Sequence, residues 1–310
     1  MDWDELIEEE GQRNKDGDVV VLNIRYNRLQ TLPAEIGRLT ALTALSVFRN
    51  RLQTLPVEIG QLTNLANLDL SQNKLRALPP EIGQLTNLTI FNVWGNQLQT
   101  LPTEIGQLRN LGELNVSQNR LQELPAEIGQ LGALTYLSVS WNQLQTLPAE
   151  IGQLTNLTTL DVFNNQLRAL PVEIGQLTNL TTLKVSFNQL QVLPGEIGQL
   201  TNLNRLKVSF NQLQVLPAWI GQLTNLTILD VVGNQLQTLP PIVPHCQIED
   251  MDTNQVRLLH RRWTKRAKTV LAYAVCWTRK RKNAQIKGLT RMDVYLTRGI
   301  IGLLFTGYDE

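Results

Sequence analysis

The segment from Leu147 to Leu167, LPAEIGQLTNLTTLDVFNNQL, recurs along this chain at a fixed interval of 23 residues. The copy before it reads LPAEIGQLGALTYLSVSWNQL and the copy after it LPVEIGQLTNLTTLKVSFNQL. One asparagine marks each copy: Asn27, Asn50, Asn73, Asn96, Asn119, Asn142, Asn165, Asn188, Asn211 and Asn234. The ten hold one register, with no insertion or deletion. A unit this short cannot bury its own apolar face, so its neighbours must supply the other half. The period therefore dictates a stack of repeats, an elongated solenoid and not a globule around one central core.

Within the unit that ends at Asn165, Leu160-Asp161-Val162 alternates as a strand does, with Leu160 and Val162 inward and Asp161 outward. Asn165 follows where the chain must turn, and a buried Asn there can bond backbone groups that have lost a strand partner. Repeated ten times, it predicts a structural asparagine ladder. The return half begins at Pro171, which fixes its own φ and restricts Leu170 to extended geometry. Glu173 to Leu177 is too short for a standard helix and reads as one 3₁₀ turn, in which Ile174 and Leu177 bury and Gly175 permits the bend. Parallel strands roughly 4.8 Å apart make ten copies span about 45 Å. The turn side is wider than the strand side, so the strands line the inside of the curve. The expected fold is an α/β solenoid: a curved stack with a parallel concave sheet of about ten strands, a convex side of short 3₁₀ turns and loops, and helical N- and C-terminal caps.

The pattern LxxLxLxxNxLxxLPxEIGxL resembles the leucine-rich repeat, in the 23-residue intracellular subclass found in Ras-suppressor-like proteins, scribble-like scaffolds and the N-terminal half of Roco proteins. The resemblance covers about residues 19–243. It implies protein–protein binding through the concave face, with no chemistry of its own and no cofactor.

Three segments follow from this. Residues 1–18 form a capping helix and link: in DWDELIEEE, Trp3, Leu6 and Ile7 share one face and can cover the open end of the stack, and Gly11 to Asp18 is polar. Residues 19–243 are the repeats. Residues 244–310 read as a basic helical module, which shows no family resemblance. Charge divides along the same line: residues 1–243 hold 15 Lys and Arg against 21 Asp and Glu, and residues 245–310 hold 13 against 6. The acidic start has no apolar run, no stretch is long and apolar enough for a membrane span, and Cys246 and Cys276 lie outside the repeats. These features predict an intracellular, cytoplasmic setting.

Catalysis is a poor fit. There is no GxxxxGK[ST] motif and no CxxC, and the histidines are His245 and His260 alone. Cys276 sits in VLAYAVCW, as an inert buried thiol would. The features that vary are the outward strand positions. Against small and polar residues there, Phe48, Trp94, Tyr136, Trp141, Phe163, Phe187 and Phe210 stand out as candidate anchors for a protein partner. For Phe187 and Phe210 satellite packing of one ring on the other is an equal reading. Lys184, Arg205 and Lys207 form a basic cluster beside them, with Asp69, Glu113 and Asp161 toward the N-terminal side. In the tail, Arg261, Arg262, Lys265, Arg266, Arg279, Lys280, Arg281 and Lys282 are a second candidate contact, for a larger assembly or, with less support, for nucleic acid or anionic lipid.

Overall fold

The structure, a computed structural model, describes residues 3–236 and 247–249. All of them belong to the first of two compact units, Met1–Glu249. The expected C-terminal helical module, Cys246, Cys276, His245, His260 and the basic residues Arg261 to Lys282 lie outside the described residues.

The chain opens with helix α1 (Trp3–Glu10) and strand β1 (Gly11–Arg13). Ten strands then follow at the repeat interval: β2 (Val19–Asn23), β3 (Ala44–Ser46), β4 (Asn67–Asp69), β5 (Ile90–Asn92), β6 (Glu113–Asn115), β7 (Tyr136–Ser138), β8 (Thr159–Asp161), β9 (Thr182–Lys184), β10 (Arg205–Lys207) and β11 (Ile228–Asp230). Strand β12 (Gln247–Glu249) pairs parallel with β11, so the sheet continues past residue 243. The strands lie in sequence order across one sheet, parallel throughout from β2 to β12. Equivalent residues pair: Leu160 lies opposite Leu137 on one side and Leu183 on the other. That register stacks the leucines of every repeat into one continuous core, most of them fully buried. Among the described residues, nine 3₁₀ turns of five residues carry the chain back between strands, from Ala34–Arg38 to Ala218–Gln222. Each follows a proline in extended geometry, such as Pro171 at φ −64°, and closes with the N–H of the next leucine on the isoleucine carbonyl, as Leu177 on Ile174.

Two expectations need correction here. Residues 11–18 are not a plain link: Gly11–Arg13 runs antiparallel to β2. The Asn14 side chain, accepting the N–H groups of Asp16 and Asp18 at 2.9 Å each, ties the hairpin turn. An open parallel sheet leaves a row of unpaired backbone groups at its first strand, and β1 satisfies them. Gly175 does not serve the bend, because it has no positive φ. A Cβ there would sit 2.6 Å from the Glu196 carbonyl of the next repeat, so the glycine is required by close stacking.

The asparagine ladder is real from Asn50 onward. Asn142 Nδ2 donates to Val116 O (3.1 Å), one repeat back, and to Val139 O (3.0 Å) in its own, while its Oδ1 accepts from the Leu121 N–H (3.0 Å). Asn27 is the exception. It is half-buried and its Nδ2 has no partner: the carbonyl 26 residues back would fall before the first repeat, and Asn27 does not bond Ile24 O, the carbonyl three residues back, where Tyr26 and Arg28 on either side both have positive φ.

Candidate functional site

Every strand ends in the same backbone event. The residue before each ladder asparagine has positive φ, from 52° at Gln118 to 71° at Gly95. This left-handed residue turns the chain out of the strand so that the asparagine can point inward. With a Cβ it costs about 1 kcal/mol, and glycine avoids the cost. Gly95 and Gly233 take that route, yet Tyr26, Trp141, Phe187 and Phe210 put large rings at the same strained position.

Three of those rings build one feature. Trp141 meets Phe163 at 5.8 Å between centroids, Phe163 meets Phe187 at 5.1 Å, and Phe187 stacks on Phe210 at 4.3 Å and 25°. Repeats six to nine thus share a continuous half-buried aromatic ridge along the strand ends. Among the described residues Phe210 is its last ring, and a Cβ at Gly233 would lie 2.6 Å from it. The packing reading of Phe187 and Phe210 holds for that pair, and Trp141 and Phe163 extend it into a ridge.

The charges run alongside. Strand register places Asp161, Lys184, Lys207 and Asp230 in one row. Lys184 Nζ pairs with Asp161 Oδ2 at 2.9 Å, and Asp161 Oδ1 accepts the Phe163 N–H at 3.1 Å. Ser209 Oγ bridges to Asp230 (2.8 Å) and Ser186 (2.8 Å). Arg205 lies exposed two residues before Lys207 on the same strand. Of the acidic residues, Asp161 is joined to Lys184, Asp69 accepts the Ser71 N–H at 3.1 Å, and Glu113 begins β6.

The remaining candidates stand apart from the ridge. Tyr136 begins β7 while Trp141 lies beyond its end, and Trp94 sits two repeats away. Among the described residues neither makes a ring contact with another aromatic residue. Phe48 packs its edge against Tyr26 (5.5 Å, 90°), near the other end of the stack. Tyr26 is 58% exposed and was not marked by strand alternation.

A shallow depression of about 910 Å³ borders Arg205, lined by residues such as Thr181, Thr182, Asn202, Asn204 and Thr227. Its side chains form a second ladder: Asn202 Nδ2 donates to Thr178 O (2.9 Å) and Thr181 Oγ1 to Thr158 O (3.0 Å). Among the described residues no group of three or more His, Cys, Asp or Glu is placed to hold a metal ion, and no helix is long and apolar enough to cross a membrane.

The family described as "Leucine-rich repeat region" matches residues 91–166, 126–215 and 162–239, and "Leucine Rich Repeat" matches residues 64–85. A solved leucine-rich-repeat protein of Leptospira interrogans is 34% identical, over 83% of this chain and 79% of that one, with a TM-score of 0.56. The chain is a leucine-rich-repeat protein. Two further solved leucine-rich-repeat structures are similar. The effector YopM of Yersinia pestis is 27% identical over 74% of this chain and 61% of its own, at TM-score 0.62. The ectodomain of the Arabidopsis thaliana receptor kinase GASSHO1/SCHENGEN3 is 30% identical over 73% of this chain and 29% of its own, at TM-score 0.65. No curated protein matches. The core leucines and the asparagine ladder of this leucine-rich-repeat protein serve the stack itself. What varies from repeat to repeat lies on the strand face and strand ends.

Proposed function

We propose that this chain is a non-catalytic intracellular interaction module that binds a protein partner through its strand face, centred on repeats six to nine. One observation carries the reading: the four-ring ridge Trp141–Phe163–Phe187–Phe210, three of whose rings occupy left-handed positions that a glycine fills without strain. Eight of the ten copies carry a side chain at that position and four of them are polar, so what sets repeats six to nine apart is the run of rings in contact, outside the leucine core. Large aromatic side chains beside Lys184, Arg205 and Lys207 supply the residue types that anchor protein interfaces, with charges to fix orientation. The similar Arabidopsis ectodomain is solved in complex with CASPARIAN STRIP INTEGRITY FACTOR 2, and binding without chemistry is the mode of action we carry over from it.

The test is affinity capture from the native source with the full chain, comparing the unaltered protein with a Trp141→Ala/Phe187→Ala variant. Partner affinity is expected to fall about 10-fold or more, the scale of a truncated hot spot, while the circular dichroism of the variant stays that of the parent. Unchanged capture by the folded variant would remove the ridge from the site. Trp94→Ala, outside the ridge, is expected to have the smaller effect.

A further inference from the structure

The first three repeats depart from the pattern in a different way. The residue after the ladder asparagine is glutamine in six copies: Gln97, Gln143, Gln166, Gln189, Gln212 and Gln235. In repeats one to three it is Arg28, Arg51 and Lys74, three cations in succession, and in repeat five it is Arg120, alone between Gln97 and Gln143. Backbone bonds hold these positions one repeat apart, with the Arg51 N–H on Leu29 O (2.8 Å) and the Lys74 N–H on Leu52 O (2.9 Å). Arg25, Arg49 and Arg76 lie within three residues of the ladder asparagines of the same repeats, with Arg25 Nε donating to Ser46 Oγ (3.0 Å), the Arg49 N–H to Ser71 O (2.9 Å) and the Arg76 N–H to Gln53 O (3.4 Å). All six cations are exposed. The ion pairs among the described residues are Arg13–Glu8 and Lys184–Asp161, so none of the six is in one.

Like charges stacked in register repel, and the fold does not ask for them, since glutamine serves at the same site six times over. An anionic partner turns that repulsion into attraction. Its class follows from the company the cations keep. Protein interfaces have apolar centres depleted in charge, whereas nucleic-acid interfaces are polar and strongly positive. This edge is dense in charge, and its one exposed large hydrophobic is Tyr26. Five of the six cations are arginine, whose planar fork grips phosphate oxygens bidentately and stacks on flat rings. Arg49 already lies over the Tyr26 ring at 5.4 Å, and Phe48 supports that ring at its edge. A tyrosine and a guanidinium held as flat surfaces beside a row of cations are the elements of a single-strand binding groove: stacking for bases, charge for the backbone.

We propose that the strand-end edge of repeats one to three binds a single-stranded nucleic acid, with Arg28, Arg51 and Lys74 on its phosphates and Tyr26 against a base. This surface is separate from the aromatic ridge and does not depend on it.

The test is fluorescence anisotropy with the full chain and a labelled, mixed-sequence single-stranded oligonucleotide, across a salt series. The variant Arg28→Gln/Arg51→Gln/Lys74→Gln installs the residue that later repeats carry; Arg28 alone of these positions has positive φ (60°), so the fold of the variant is checked by circular dichroism. Binding is expected to weaken about 10-fold at moderate salt, and the slope of log K against log salt to become shallower by about 2, close to 0.7 for each phosphate contact removed. Tyr26→Leu is expected to weaken binding several-fold with the slope unchanged. Three outcomes overturn the proposal. The full chain binds no oligonucleotide. The triple variant binds as the parent does, while Arg279→Gln/Lys280→Gln/Arg281→Gln/Lys282→Gln abolishes binding, which assigns it to the tail. Or a poly-glutamate peptide displaces the oligonucleotide at equal charge concentration, which makes the edge a site for acidic proteins.

Discussion

A single residue type does the most structural work in this chain, and the ladder shows why one copy is unlike the rest. Asn142 satisfies three backbone groups that the turn leaves without strand partners. Replacing it with alanine strands the Leu121 N–H in a dry core and takes one of two asparagine donors from each carbonyl, since Val116 O still accepts from Asn119 and Val139 O from Asn165. Each buried unmade bond costs about 1–3 kcal/mol, with partial relaxation, so Asn142→Ala is expected to cost about 3 kcal/mol in urea unfolding. Asn27→Ala removes a half-buried side chain whose Nδ2 bonds nothing and is expected to cost less than about 1 kcal/mol. Equal losses at the two sites would show that the asparagine acts through its turn preference and not through its bonds. The asparagines were fully legible in the sequence because their period is fixed, but the defect at Asn27 was not. It belongs to the first repeat, where no earlier repeat supplies a carbonyl 26 residues back and Tyr26 and Arg28 both turn left-handed, which the residue type at position 27 does not report.

At the scale of elements, legibility followed pattern strength. Helix α1 could be read because Trp3, Leu6 and Ile7 fall on one face, and the structure buries Leu6 and Ile7 against the core. Strand β1 could not. Gly11-Gln12-Arg13 has no alternation, and the strand forms because β2 would otherwise leave an unpaired edge. The same limit applies to the site. Alternation marks the outward strand positions and so finds Phe163, but the ridge is completed by residues in left-handed geometry, one position further on. Whether neighbouring rings meet there depends on backbone turns that composition does not reveal. The basic edge lies beyond the strand altogether, where only comparison of equivalent positions across copies exposes it. Leu6→Ala tests the capping role of α1. A cavity of that size in a core costs about 3 kcal/mol, but in a stack the loss falls on the nearest unit. Hydrogen exchange is expected to quicken in β2 and β3 while β8 and β9 keep their protection. Uniform acceleration across all strands would mean that the chain unfolds as one block.

For the whole molecule, the consequence of nearest-neighbour construction is modularity. Each repeat touches mainly the one before and the one after, and its backbone bonds, such as Gln143 N–H to Leu121 O at 2.9 Å, repeat at the same offset throughout. Excising residues 97–119 removes one 23-residue period and joins Asn96 to Arg120, so every downstream residue keeps its register. The shortened chain is expected to unfold cooperatively, with a denaturant slope lower by roughly a tenth, since that slope follows the surface exposed on unfolding. An excision of half that length would place core leucines of one repeat against outward positions of the next, and it is expected to leave the C-terminal repeats unfolded. The 23-residue excision also separates the two proposed surfaces by function. The basic edge lies in repeats one to three and the aromatic ridge in repeats six to nine, so neither loses a residue. Oligonucleotide binding and partner capture are both expected to survive, each still abolished by its own point variants. If removing the repeat between them weakens either one, the two surfaces act on a single ligand that spans the stack, and the distance between them is part of what is recognised.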